Sequence, residues 1–253
     1  MLRLLRDGPA RNGSSLITLE HGGETIVVAL RRAATARRFT LRVRFAARDA
    51  VLTMPHRASL RDARAFAERH AAWIAARLNR LPATIPFAHG SIVPLRGVDH
   101  ALIHVPQKRG TAWIEMRDDV APGVALCVAG QPEHIHRRVQ DHFKREARRD
   151  LEDAVARHTS ALGLPPRGIG LRDPVSRWGS CSSSGSLNFS WRLIMAPPFV
   201  LDYLAAHEVA HLVHLDHSPR FWALARQLCA ETDRAEAWLS AHGPHLHKYG
   251  AKG

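Results

Sequence analysis

The chain has 253 residues, of which 45% are hydrophobic. This composition excludes an intrinsically disordered protein and provides the core of one large domain or two small ones. Lysine and arginine outnumber aspartate and glutamate by 36 to 23, a formal net charge of +13, so polyanions such as nucleic acid are favoured as partners.

The three cysteines are odd in number, far apart and without a CxxC pair, which argues against a disulfide framework and indicates a reducing compartment. The sequence contains no uninterrupted apolar run of about 18 residues, and its N-terminus reaches a charged residue before an apolar run of signal-peptide length. We therefore expect a soluble, cytoplasmic protein that does not associate with membranes.

The first half of the chain, residues 1–130, is predicted to be rich in β-strands with one amphipathic helix. The helix is predicted to run from Ser59, a preferred N-cap residue, to about Leu81, because apolar residues recur there at helical spacing. Apolar and polar residues alternate in several short segments, and the first two flank a His-Gly-Gly turn that predicts a hairpin. The predicted strands are 16–19, 26–30, 39–45, 51–54, 101–105, 112–116 and 124–128.

The second half, residues 131–253, is predicted to mix helices and strands, which makes the whole chain α+β. A long charged helix is predicted over 132–162 and ends at Gly163, and a strand follows over 168–172. Residues 176–194 have two strand-like arms around a Ser/Gly turn and predict a β-hairpin. A helix is then predicted over 199–215, and Ser218-Pro219 predicts the start of the next one.

The most informative pattern is the motif His207-Glu208-Val209-Ala210-His211 on the predicted helix. Two histidines four residues apart project from one face of a helix and can share one metal ion. Glu208 lies about 100° around the helix and reaches past the metal towards water, where a zinc hydrolase needs its general base. A catalytic zinc takes three protein ligands, and His217 can supply the third once the helix has ended. The sequence thus predicts one Zn²⁺ per chain.

Two other residues compete with His217 as the third ligand. His214 lies one turn beyond His211 on the same helix face, and Glu231 would supply a carboxylate from the following helix. Three residues are candidates for holding a ligand imidazole through its second nitrogen: Asp202, His214 and Asp216.

The predicted hairpin 176–194 precedes the histidine helix by only a few residues. An exposed sheet edge beside the metal would bind an extended peptide through backbone hydrogen bonds, so we expect a peptide or protein substrate there. The candidate substrate contacts on the hairpin are Arg177, Trp178, Asn188 and Arg192.

Three sequence blocks stand in a specific order around the predicted site. They are Arg-Trp-Gly-Ser-Cys at 177–181, Asn-Phe-Ser-Trp-Arg-Leu-Ile at 188–194 followed by Ala196 and Pro197, and the histidine motif at 207–211 followed by His-Ser-Pro-Arg-Phe-Trp at 217–222. Together they resemble the YgjP-like metal-dependent hydrolases, relatives of the SprT and WLM metallopeptidases. The N-terminal half is similar too, from the Arg-rich strands near Arg37 and Arg38 through Trp73, so the likeness covers most of the chain.

This resemblance implies a zincin-like C-terminal half, with an HExxH active-site helix and the adjacent hairpin, preceded by the β-rich N-terminal half. Carried over residue by residue, it implies zinc on His207, His211 and His217, with Glu208 as the base. The SprT and WLM relatives act on proteins attached to DNA, which would suit the positive charge of this chain.

The preferred hypothesis is therefore a zinc metallopeptidase. One alternative is a metal-dependent hydrolase of phosphoanhydrides such as nucleotides, in which arginines neutralise phosphate. Another is a nucleic-acid-associated protein whose zinc is structural. A structural zinc is normally closed by four protein ligands, whereas the sequence offers three good ones around a catalytic-type glutamate.

Overall fold

A computed structural model describes residues 15–44, 49–81 and 83–250. The chain divides into two compact units, Met1–Ala83 and Thr84–Gly253. The predicted division after residue 130 lies inside the second unit, because the sheet before that point shares one core with the long helix after it. Phe45, at the end of one predicted strand, lies outside the described residues.

The first unit contains a four-stranded sheet in the order β1-β2-β4-β3. β1 and β2 form an antiparallel hairpin where the sequence predicts one, β2 runs parallel to β4, and β3 is antiparallel to β4. Alternate strand residues are buried, which places one face of the sheet in the core. The strands are β1 (Leu16–His21), β2 (Glu24–Ala33), β3 (Thr40–Arg44) and β4 (Asp49–Pro55).

Two helices, α1 (Leu60–Arg69) and α2 (Ala71–Asn79), cover that apolar face, and the prediction of one continuous helix is wrong. The break is at His70, where φ is −107° and ψ is 9°. Its ring Nδ1 donates to the Phe66 carbonyl at 2.8 Å, and its backbone N–H bonds to Ala67 instead. The side chain thus takes the acceptor that the helical backbone needs, and neither glycine nor proline marks the position.

The second unit begins with a sheet in the order β5-β6-β8-β7, packed against the long helix α3. A short 3-10 helix, Pro132–His134, leads into α3 (Ile135–Leu162). This helix ends at Gly163 with φ of 63°, the left-handed conformation that a glycine C-cap adopts. The strands are β5 (Ile92–Leu95), β6 (Val98–His104), β7 (Ala112–Met116) and β8 (Val124–Val128).

A second sheet in this unit has three strands, β9 (Gly168–Arg172), β10 (Gly179–Cys181) and β11 (Ser186–Ser190). β11 is central, antiparallel to β10 and parallel to β9. The prediction that the second strand of the hairpin continues to residue 194 is wrong, because β11 ends at Ser190 and a 3-10 helix follows at Trp191–Met195. All five of its residues are buried, whereas a strand would turn alternate side chains to opposite faces.

Three helices complete the second unit: α4 (Pro198–Ala210), α5 (Pro219–Leu228) and α6 (Thr232–His242). A last 3-10 helix, Gly243–Lys248, follows them. α4 is buried on most sides and ends five residues before the predicted position. Ser218 is the N-cap of α5, as its sequence predicts. Within the described ranges, no helix is both long enough and apolar enough to span a membrane.

Candidate metal centre

Three histidines converge where α4 ends and α5 begins. His207 lies in the last turn of α4, His211 is its C-cap, and His217 immediately precedes the N-cap of α5. One ring nitrogen from each lies within 4.8 Å of the others. His217 Nε2 is 3.2 Å from His207 Nε2. Two nitrogens around a tetrahedral zinc lie about 3.3 Å apart, so the spacing fits a single ion.

The ring of Phe221 contacts all three imidazoles. Its ring stacks on His211 at a centroid distance of 4.4 Å, and its edge contacts with His207 and His217 are each 4.8 Å. Phe221 is fully buried and follows the Ser218-Pro219 start of α5. The N-cap of α5 therefore fixes both the return of His217 and the apolar floor of the cluster.

The two candidate ligand imidazoles from α4 and its C-cap, His207 and His211, are each held through one ring nitrogen. His211 Nδ1 donates to the backbone carbonyl of His214 at 2.8 Å. His207 Nδ1 is 3.2 Å from the Tyr203 hydroxyl, which in turn donates to Glu236 Oε1 at 3.0 Å. Both arrangements place the ring proton on Nδ1 and leave the Nε2 lone pair free for a metal.

Burial keeps the two α4 imidazoles neutral. It lowers the pKa of His207 to about 4, with smaller contributions from its histidine neighbours, and it also lowers the pKa of His211. Neutral imidazole is the form that binds metal.

The other candidates around the histidines have different roles. His214 contributes its carbonyl, not its ring, because the helix has ended before it. Glu231 is the N-cap residue of α6 and pairs with Arg234 at 2.8 Å. Asp202 bonds to His158 at 3.0 Å, and Asp216 accepts from the backbone N–H of Ser218 at 3.3 Å. In the described part of the chain, the only potential metal-ligand group is His207, His211 and His217.

Tyr203 and Glu236 are the site residues that sequence reasoning missed. The sequence could have indicated Tyr203, because it precedes His207 by one helical turn and shares its helix face. No local pattern in the sequence indicates Glu236, since packing of α6 against α4 brings it to the site.

Glu208 is buried, with 4% of its surface exposed, and lies against β10. A Cβ atom at Gly179 would lie only 2.8 Å from Glu208 Cδ, so the carboxylate can occupy this position because the strand residue is glycine, and a larger residue would make it shift. Among the described residues, Glu208 Oε2 has no hydrogen-bond partner. Burial raises the pKa of Glu208 to about 8, with Arg177 acting in the opposite direction. Glu208 follows His207 directly in α4, and a buried carboxylate with an unpartnered oxygen at that position is consistent with a site that holds a metal ion and water.

Residues 37–242 match the family model described as YgjP-like, metallopeptidase domain. The chain belongs to the YgjP-like family. The resemblance seen in the sequence blocks is thereby confirmed, and the α+β class agrees with the structure. No curated protein matches the chain significantly.

One solved structure has a partial likeness to this YgjP-like chain, the metallopeptidase zymogen of abylysin from Pyrococcus abyssi. Its sequence identity is 18%, its TM-score is 0.33, and the match covers 36% of this chain and 92% of that one. A TM-score this low does not establish a common fold.

The candidate substrate contacts of the YgjP-like chain fall into two groups. Arg177, Trp178 and Asn188 line a cavity of about 480 Å³, together with Arg172 and Gly179. Gly179, which lines this cavity, also lies against the Glu208 side chain. Trp178 has a structural contact as well, since its ring stacks on His247 at 5.2 Å.

Arg192, also predicted as a substrate contact, does not line this cavity, and its donors bind groups within the protein. The side chain is buried and binds Asp173 at 2.6 Å. The same guanidinium donates to the carbonyls of Leu246 at 3.1 Å and Tyr249 at 2.8 Å. Its donors are therefore used to tie the 3-10 helix at Trp191–Met195 to the C-terminal segment.

Replacing Tyr203 with Phe is expected to weaken zinc binding by about tenfold, because loss of an outer partner of a ligand histidine typically costs 10- to 100-fold in affinity. Competition with a chelator of known affinity measures the dissociation constant. The matched control is Tyr249→Phe, the other tyrosine of the chain, which lies outside the histidine cluster. An unchanged zinc affinity in Tyr203→Phe would show that the hydroxyl does not support His207.

Proposed function

We propose that this protein is a zinc-dependent peptidase with a zincin-like HExxH helix. In this proposal, His207, His211 and His217 hold one zinc ion, and Glu208 is the general base. The observation that carries the proposal is the convergence of three imidazole nitrogens, within 4.8 Å of one another, at the end of a helix whose buried Glu208 directly follows His207. Membership of a metallopeptidase family supports the same conclusion.

The donor set suits a catalytic ion better than a structural one. Structural zinc is normally closed by four protein ligands, whereas three meet in the described residues. Zinc bound by three imidazoles supplies Lewis-acid chemistry, which acidifies water and polarises a carbonyl group.

The protein's own residues provide the rest of the mechanism. Glu208 accepts a proton from the attacking water at a carboxylate oxygen and later gives it to the leaving amine. Close contact with Gly179 limits the positions that the carboxylate can occupy. The ring contacts of Phe221 and the Tyr203 hydroxyl hold His207 in place.

β10 provides a means of aligning a peptide. It has one sheet neighbour, β11, among the described strands, so its other edge offers unpaired backbone groups. An extended substrate can add to such an edge through main-chain hydrogen bonds. Since Gly179 belongs to β10, a peptide bound there lies close to Glu208.

A second candidate function is hydrolysis of a phosphoanhydride. It is favoured by Arg172 and Arg177, which both line the cavity beside Gly179. Within the described residues, neither arginine forms an ion pair, and the one recorded guanidinium bond of Arg172 is a long one of 3.5 Å to the Leu171 carbonyl, so both can turn to phosphate.

Parallel assays of zinc-loaded protein with casein and with nucleoside triphosphates test the two candidates. We expect new peptides by mass spectrometry and no release of phosphate. Release of phosphate without cleavage of casein would replace the peptidase with the second candidate. Failure of the parent in both assays would contradict both proposals.

A further inference from the structure

Positive charge is concentrated in the first unit. Residues 15–44 and 49–81 contain twelve arginines and five carboxylates, which leaves a formal charge of +7. This quarter of the chain therefore carries more than half of the total charge of +13. A charge asymmetry of this kind indicates a polyanionic partner.

Part of this charge lies on the sheet face opposite α1 and α2. Leu30 and Leu52 pair in the core, so the next residues along their strands, Arg31 and Thr53, point outwards. Arg42 pairs with Val51 and also points outwards. Both Arg31 and Arg42 are exposed.

Two further arginines extend this surface. Arg37 and Arg38 lie between β2 and β3 and are exposed. β3 begins at Thr40, and both Thr40 and Arg31 pair with Thr53 of β4. The connection between β2 and β3, which contains Arg37 and Arg38, therefore lies at the same end of the sheet as Arg31. We call these four residues, Arg31, Arg37, Arg38 and Arg42, the basic face.

No described carboxylate neutralises the basic face. In the described ranges, no ion pair involves any of its four arginines, whereas neighbouring Arg44 pairs with Asp49. Many arginines of the second unit are paired in the same way, among them Arg96 with Asp150 and Arg117 with Asp119. The guanidinium groups of the basic face are therefore available to an external anion.

We propose that the basic face binds the phosphate backbone of duplex DNA. Four hydrogen-bonded strands spaced about 4.8 Å apart make a continuous surface that can lie along a duplex. Guanidinium groups match phosphate oxygens with two parallel hydrogen bonds. The four strands contain no Phe, Tyr or Trp, so the face lacks the stacking platform that single-stranded nucleic acid requires.

Fluorescence anisotropy with a labelled duplex of arbitrary sequence tests the proposal on the full chain. The double variant Arg31→Gln/Arg42→Gln is expected to raise the dissociation constant about tenfold. The slope of the logarithm of the association constant against the logarithm of the salt concentration is expected to become shallower by about two, since each lost phosphate contact removes about 0.9 from that slope. The matched control, Arg61→Gln/Arg77→Gln, removes the same charge from exposed positions on α1 and α2. It is expected to change the dissociation constant less than about twofold.

Four results would overturn the proposal. They are no binding by the parent, equal weakening by both double variants, tighter binding of single-stranded DNA than of duplex, and tighter binding of vesicles that contain anionic lipid. Zinc removal is expected to leave the affinity for DNA unchanged, which separates this test from that of the peptidase.

Discussion

A Glu208→Gln protein is expected to retain one zinc ion per chain and to hydrolyse casein about 10² to 10⁴ times more slowly than the parent. Glutamine has the same shape as glutamate and fits beside Gly179, but its amide cannot take a proton from water. The three imidazoles are unchanged, so the metal site stays intact. Product formation and zinc content are measured on the same preparations.

Glu231→Gln is the matched control for this variant. Glu231 is an exposed N-cap residue of α6 that pairs with Arg234, so its loss is expected to leave the rate within about twofold. Cleavage by Glu208→Gln at the rate of the parent would rule out the proposed general base.

The second large effect is expected from Gly179→Ala. Its methyl group would lie 2.8 Å from both Cγ and Cδ of Glu208, so the carboxylate must move. Displacement of a catalytic group by about 1 Å can cost about 100-fold in rate, and we expect a loss of this size in casein hydrolysis. Zinc content is expected to be unchanged, because Gly179 is outside the histidine cluster.

Gly168→Ala distinguishes this steric effect from a general effect of alanine in the sheet. Gly168 is in β9 of the same sheet, and a Cβ atom there would have nothing within 4 Å. We expect parental activity from this variant. Equal activity of Gly179→Ala and Gly168→Ala would show that Glu208 does not need its contact with β10.

Local patterns in the sequence predict much of the fold and part of the candidate site. The spacing of His207 and His211 predicts their common helix face, and Ser218-Pro219 predicts the start of α5 that brings His217 back. Gly163 predicts the end of α3 because a left-handed C-cap has a strong residue preference. These features depend on neighbours within a few residues.

Features that depend on distant contacts are not predicted. Glu236 reaches His207 through Tyr203 only because α6 packs on α4. The hairpin considered alone leaves Arg192 available for substrate, whereas in the folded chain its guanidinium donates to carbonyls from the C-terminal segment. His70 ends α1 through a side-chain hydrogen bond that no residue preference signals.

The central claim is that His207, His211 and His217 hold a catalytic zinc, and elemental analysis of purified protein tests it most directly. We expect about one zinc per chain in the parent and in His214→Ala, whose ring lies outside the cluster, and well below one in His217→Ala. Circular dichroism establishes that each variant is folded. A folded His217→Ala protein that binds zinc with the stoichiometry and affinity of the parent would contradict the claim.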